Sequence, residues 1–232
     1  MKTFHLRKDI ARLAILQRSE LLNQNLKKIR KMFGRYLFTN FFSKHFINTQ
    51  EISERYYKVM DDELMTIKKY LKSGQKILCI GSGIGGLEVL IQKYFTGINF
   101  TFIEKDYVSK KIIYGWDNSN SEAYNSINLL EKFLTDNKMK KSDFSIVDFD
   151  KNQLPVKKFD LVISLYSLDY HYDLKFYIDY LKKICTKDTL LIFDTIRAEY
   201  FNEVFEHVDV IKVENKIVHK SKRIVCKNFL NY

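Results

Sequence analysis

The sequence predicts an α/β fold: a doubly wound, mainly parallel sheet of seven strands, the last one antiparallel, behind an N-terminal helical extension. Three observations predict it. From Lys76 onward, short and nearly continuous apolar runs alternate with segments of helical period, as in a parallel sheet covered on both faces. A glycine-rich turn joins the first apolar run to the first of those helices. The last two runs are joined by NKIVHKSK, which has no room for a crossover helix and so implies an antiparallel hairpin.

The elements follow in order. From Asp9 to about Ile47, apolar residues recur at helical spacing: Ile10, Leu13, Ala14, Leu21, Leu22, Leu26, Ile29 and Phe33. Basic residues occupy much of the other face. A second helical pattern carries Tyr56, Val59, Leu64, Ile67 and Leu71 and stops at Ser73-Gly74. Residues 1–72 are therefore assigned to the extension and 73–232 to the sheet domain. Within the extension, FGRYLFTNFFSKHF is dense in aromatics; it packs on the main domain, or serves as a lid or an interface anchor. Strands are expected at 76–80, 99–104, 143–148, 160–166, 189–194, 208–214 and 223–228. Helices are expected at 85–95, 121–137, 173–184 and 197–206.

Composition sets bounds. The chain has 232 residues, 46% hydrophobic and 29% charged, which excludes wholesale disorder. Three widely spaced cysteines exclude a disulfide framework and a Cys-rich zinc site. No apolar run reaches the roughly 18 residues of a membrane span, and the charged N-terminus does not read as a signal peptide, so a cytoplasmic location is expected. The net charge is +11, and residues 1–50 hold 11 basic against 2 acidic side chains, or +9 of it. Such an excess is either a solvated face or a footprint for polyanions or an anionic membrane.

The sharpest motif is KILCIGSGIGGLEVL, a buried strand running into Gly81-Ser82-Gly83-Ile84-Gly85-Gly86 and then a helix. Glycines there allow a tight turn and a close backbone approach, and the helix start offers free N–H groups. Glu104 ends the second strand roughly 20 residues on, where a carboxylate can accept from two ribose hydroxyls. A nucleoside cofactor across the first two strand ends follows, either a nicotinamide dinucleotide or S-adenosylmethionine. Asp148-Phe149-Asp150 at the third strand end suits an adenine, and a single domain with a terminal hairpin fits a dehydrogenase poorly. Both favour S-adenosylmethionine.

Over roughly residues 52–228 the chain resembles class I S-adenosylmethionine-dependent methyltransferases, which have a Rossmann-like sheet. CIGSGIGG, FIEKD, VDFD and FDLVISLYSLDYHY correspond to the first four motifs. The family places an acidic residue two before the first glycine; Cys79 stands there. More narrowly, YYKVMDDEL, IIYGWDNSNSEAYNSINLLEKFL, SLYSLDYHYDLKFYIDYL and LLIFDTIR look like bacterial sugar O-methyltransferases, without the Pro that usually follows their His-Tyr. The resemblance implies that Gly81, Gly83 and Gly85, with Ser82, pass the methionine portion. It implies that Glu104, with Lys105 beside it, binds the ribose and Asp148 and Phe149 the adenine. Ser164 is expected beneath the cofactor.

A sugar hydroxyl is a poor nucleophile, so a general base is expected. His171, after the fourth strand, has the proton affinity for it. Tyr172, Asp194 and Arg197 are expected around a small-molecule or glycan acceptor, with Arg197 suited to an anionic one. Asp169 could orient His171. No metal is expected. The alternative is an RNA methyltransferase whose basic helices grip phosphates. A non-catalytic binding protein and a nicotinamide oxidoreductase are the remaining classes.

Overall fold

The computed structural model describes residues 2–109, 123–169, 172–214 and 221–230. Seven strands form one sheet: β1 (Lys76–Ile80), β2 (Asn99–Glu104), β3 (Phe144–Asp148), β4 (Leu161–Ser164), β5 (Leu190–Thr195), β6 (Phe205–Val213) and β7 (Lys222–Phe229). Their order is β3-β2-β1-β4-β5-β7-β6. The β1–β2, β1–β4, β2–β3 and β4–β5 pairs are parallel, and β7 is antiparallel to both neighbours. This is the Rossmann-like arrangement expected.

The period-2 alternation of the strands builds two cores. Ile77, Cys79, Phe100, Phe102, Leu161 and Ile163 face one way, towards α1 (Lys8–Gln17), α5 (Thr49–Ile67), α6 (Gly86–Tyr94) and α7 (Ile127–Asp136). Leu78, Ile80, Val162, Leu191 and Phe193 face the other way, towards α8 (Ile178–Ile184) and α9 (Ala198–Phe201). The first core takes in Ile10, Leu13, Ala14, Ile15 and Leu16 of α1, so the N-terminal helices and the sheet share one apolar interior. Between α1 and α5 lie α2 (Gln24–Phe33), α3 (Arg35–Leu37), a π-helical turn (Phe38–Phe42) and α4 (Ser43–Phe46). Asn23 and Asn48 cap α2 and α5 by accepting from their first-turn N–H groups. Among the described residues no helix is long and apolar enough to cross a membrane.

Local departures from the expected elements have local causes. The helix expected over 197–206 stops at Phe201, because Phe205 is drawn into the β7 ladder opposite Phe229, ring centroids 4.5 Å apart. The strand expected to reach residue 166 ends at Ser164; its Oγ donates to Ile80 O (2.8 Å) and accepts from Leu168 N (2.9 Å), folding the chain back. Helix α7 starts at Ile127, whose N–H donates to Asp106 Oδ1 (2.9 Å).

The sheet is tied to the N-terminal helices by a buried ion pair. Arg223 of β7 donates from Nε (2.8 Å) and Nη2 (2.7 Å) to the two carboxylate oxygens of Asp194 on β5. Its Nη1 donates to Thr66 Oγ1 of α5 (2.7 Å). Removing one partner of such a pair leaves an uncompensated buried charge, whereas apolar replacement of both often does not. Arg223→Met is expected to lower unfolding free energy by about 3–5 kcal/mol in denaturant titration. Asp194→Leu/Arg223→Met should recover most of that loss; equal destabilisation in both variants would contradict the account.

Candidate active site

The site starts where β1 runs out. Gly81 N–H still donates to Ile103 O (3.0 Å), and then the chain turns through left-handed φ of +68° at Gly81 and +70° at Gly83. A side chain at Gly81 would collide with Ser167, and one at Gly83 would put Cβ 2.7 Å from Gln17 Oε1. Glycine is required there by contact as well as by φ. Gly85 caps α6 and faces Leu130 and Leu134 of α7. The first N–H of α6, on Gly86, donates to the Tyr56 hydroxyl (3.0 Å).

Glu104, at the end of β2, is buried against this turn. Its Oε1 accepts from Ser82 Oγ (2.8 Å) and Gly83 N (3.1 Å). Burial pushes its carboxyl up to about 7, against hydrogen bonds from Asn125, Ser82 and Gly83 that favour the charged form. Asn125 grips the turn from the other side: Nδ2 donates to Gly83 O (2.8 Å), and Oδ1 accepts from Gln17 Nε2 (3.2 Å). Gln17 Nε2 also donates to Tyr124 O (2.7 Å), so the end of α1 closes over the segment before α7.

These groups border a cavity of ≈ 920 Å³. Its lining includes Ile80, Ile103, Phe149, Leu168, Tyr172 and Tyr177, with Gly81, Ser82, Gly83 and Glu104. Lys105 lies there too, its Nζ 3.2 Å from Asp150 and over the rings of Phe149 (5.3 Å) and Tyr172 (5.9 Å). The lining also includes Arg18, Lys27, Arg35 and Lys212 with Glu20, Asp62, Glu63 and Glu214. Arg18 Nη1 donates to Glu63 Oε1 (2.8 Å) and Nη2 to Oε2 (3.2 Å). Tyr166 belongs to it as well, at φ +56°, its ring 5.5 Å from the Arg18 guanidinium and 5.9 Å from that of Arg223. A left-handed tyrosine is a strained residue at a cavity wall, as functional loops often carry.

The remaining predicted residues stand behind the wall. Asp148 accepts from Asp150 N (3.0 Å) and pairs with Lys151 Nζ (2.8 Å); burial opposes charge, but these partners hold its carboxyl below the usual range. Ser164 is engaged with Ile80 and Leu168, and Asp194 with Arg223. Arg197 donates from Nε to Asp169 (2.9 Å) and from Nη2 to Asp173 (2.6 Å), while Thr195 donates to Asp169. These groups hold Asp169 and Asp173, which flank Tyr170 and His171 in the sequence; the predicted His171 lies, with Tyr170, outside the described residues. No three His, Cys, Asp or Glu side chains are grouped to hold a metal among the described residues.

The site residues that sequence reasoning missed are Gln17, Arg18, Glu63, Asn125 and Tyr166. They come from the N-terminal helices and from irregular segments; Tyr166 and Asn125 lie within the quoted stretches FDLVISLYSLDYHY and IIYGWDNSNSEAYNSINLLEKFL, but no spacing singles them out. Cys79, in the place where the resembled family has an acid, has the carboxylate of Glu88 beside it.

No family model matches the chain, and no curated protein matches it. Among solved structures it is similar to a Thermus thermophilus 16S rRNA N2 G1207 methyltransferase in complex with S-adenosylmethionine and guanosine (14% identity, 74% of this chain, 42% of that one, TM-score 0.49). It is also similar to a precorrin-6y C5,15-methyltransferase from Geobacter metallireducens (13% identity, 79% and 90%, TM-score 0.45). A third is a methyltransferase from Thiobacillus denitrificans in complex with S-adenosylhomocysteine (10% identity, 68% and 51%, TM-score 0.41). This chain spans less than half the length of the first of these. Scores this low carry no activity across, and the fold stands on its own strand order.

Glu88 has a measurable signature. It is buried, its Oε2 has no hydrogen-bond partner, and burial pushes its carboxyl up to about 7. An unfolded glutamate titrates near ~4.3. Between those values the folded state holds the extra proton, so this group favours folding below about pH 4 and that contribution is lost as pH rises through 7. Glu88→Gln is therefore expected to stabilise the protein by about 3 kcal/mol at pH 8 and by little at pH 4. Thermal unfolding across that range checks it; a gain independent of pH would contradict the assignment.

Proposed function

We propose that the protein is an S-adenosylmethionine-dependent methyltransferase whose acceptor is a hydroxyl of a sugar or glycan precursor. One observation carries the cofactor: a buried carboxylate at the end of β2 faces a glycine turn after β1 across the floor of a cavity. That is the place in a parallel sheet where a ribose and its linked chain lie. The residues present fit the cofactor. Glu104 accepts from the ribose hydroxyls, Phe149 and Tyr177 offer apolar faces to the adenine with Asp148 behind them, and Lys105 lies at the rim. Gly81, Ser82 and Gly83 pass the methionine portion, with Gly85 starting the helix behind.

A cavity of ≈ 920 Å³ is at the upper end of small-ligand sites, with room for a nucleoside and a small acceptor together. The N-terminal helices wall the cavity through Arg18, Glu20, Lys27 and Arg35, which supports a compact hydroxyl compound over a nucleic-acid strand. When bound, S-adenosylmethionine supplies a methyl group already activated on a sulfonium. The chain's own work is then to exclude water, hold the acceptor oxygen in line, and take its proton. His171 is the proposed base, and Tyr172 a contact for the acceptor. Arg197 and Asp194 serve the acceptor indirectly, Arg197 by holding Asp169 and Asp173 on either side of His171 in the sequence and Asp194 by fixing Arg223 against the Tyr166 ring.

Calorimetric titration with S-adenosylhomocysteine, with NADH as control, tests the cofactor. Wild-type protein should bind the first alone, and Glu104→Ala should lose about 1–3 kcal/mol of that binding. Because ribose hydroxyls hydrogen-bond to the carboxylate form, affinity should rise with pH towards and through 7 and level off above it. Glu104→Gln should flatten the profile. Binding of NADH alone would overturn the proposal.

His171→Ala should cut turnover by roughly 10²–10⁴-fold while leaving S-adenosylhomocysteine affinity near wild type. Single-turnover kinetics on a sugar acceptor with a free hydroxyl would show it; unaltered turnover removes His171 from the chemistry.

A further inference from the structure

Residues 21–50 contain six cations, Lys27, Lys28, Arg30, Lys31, Arg35 and Lys44, and no acidic residue. Within this stretch α3, the π-helical turn and α4 run on without a break in helical backbone from Arg35 to Phe46. The π turn is fixed to α1 by Arg12, which donates to Thr39 O (3.0 Å) and Ser43 Oγ (3.1 Å). Phe38 points into the core. Five large apolar side chains of α2 and this run are uncovered: Met32, Phe33, Leu37, Phe41 and Phe46 are 45–77% exposed.

These side chains are not scattered. Half-buried Phe42 is a hub, with the ring of Phe33 at 4.7 Å, Phe41 at 5.5 Å and Phe46 at 6.2 Å. The exposed rings thus form one patch, framed by exposed Lys28, Lys31 and Lys44. Contiguous exposed apolar surface of this kind marks an interaction site rather than ordinary surface.

We infer that this patch docks the protein onto an anionic lipid bilayer. Charge decides between the possible occupants. A second copy would bring exposed Lys28, Lys31 and Lys44 against the same three lysines, with no acidic residue in stretch 21–50 to answer them, and like charges oppose that contact. A nucleic acid would answer the cations and stack on the rings, but it offers nothing to the aliphatic side chains of Met32 and Leu37. A bilayer with anionic headgroups answers both: apolar side chains enter the headgroup–acyl boundary while the surrounding lysines meet phosphate. Lys27 and Arg35 belong to the same stretch and also line the cavity, so docking would bring the cavity wall to headgroup level. The inference does not depend on which reaction the cavity performs.

Vesicle flotation of the full chain tests it. Vesicles of phosphatidylcholine with about one third phosphatidylglycerol should bind the protein roughly tenfold more tightly than phosphatidylcholine alone, and raised salt should weaken that binding. Phe41→Asp/Phe46→Asp should lower binding by at least roughly tenfold with the thermal unfolding profile retained, since both side chains are exposed. Lys28→Glu/Lys31→Glu gives a second route to the same loss through charge alone. Failure to bind anionic vesicles at low salt overturns the inference, as does wild-type binding by the Phe41→Asp/Phe46→Asp variant. A dimer in light scattering that these substitutions dissolve, without vesicle binding, would assign the patch to a second copy. RNA binding that they abolish, again without vesicle binding, would assign it to nucleic acid.

Discussion

The cavity depends on a line of buried charge. Asp194 on β5 holds Arg223 on β7, and Arg223 reaches Thr66 on α5. One turn earlier on α5, Glu63 holds Arg18, the residue after α1. A charge removed from water at these depths is tolerated only opposite its partner, so each pair fixes the distance between two elements. The consequence reaches the glycine turn. With Arg18 fixed, the neighbouring Gln17 lies against Tyr124 and Asn125, and Asn125 in turn holds the Gly83 carbonyl. Part of the cavity wall is therefore set by β5 and β7 through the N-terminal helices rather than by the strands that carry the motif.

That dependence explains what could be seen in the sequence. The ends of β1 and β2 follow from unbroken apolar runs bounded by charged or glycine residues, and the expected limits, 76–80 and 99–104, are the observed ones. The glycine turn and Glu104 were legible because they are close in sequence to those strand ends. Asp194 and Arg197 were visible as charged residues at a strand end, but not their partners. Asp194 meets an arginine 29 residues on, and Arg197 an aspartate 28 residues back. Arg18 and Glu63 are 45 residues apart on two helices, each of which looks like an ordinary amphipathic pattern. Periodicity reports which face of a helix is buried, and it is silent on which polar residue at the edge of that face will meet a charge.

Glu88 and Glu104 show a different tension. Both are buried, and burial pushes both to about 7, well above an exposed glutamate. For Glu104 the strain has a ready use, since hydrogen-bond donors from a ligand would favour the form that folding disfavours. Glu88 has no such outlet in view. It sits beside Cys79, so a carboxyl group absent from the strand is present on the adjoining helix. Of the two, only Glu104 lines the cavity, so only there does the cost in stability coincide with a place for a ligand.

The same accounting separates the cavity from the surface. Five cations line the cavity, Arg18, Lys27, Arg35, Lys105 and Lys212, and five acids answer them, Glu20, Asp62, Glu63, Glu104 and Glu214. The net charge of +11 is therefore not concentrated in the cavity. The acid-free stretch 21–50 carries six cations in sequence, and an exposed aromatic cluster lies within it. A soluble helix gains little from exposed phenylalanines and loses solubility by clustering them. Their coincidence with the charge excess, on a segment whose inner face is fixed to α1 by Arg12, makes the helical extension a two-sided element. One side closes the cavity, and the other is shaped for something apolar and negative outside it.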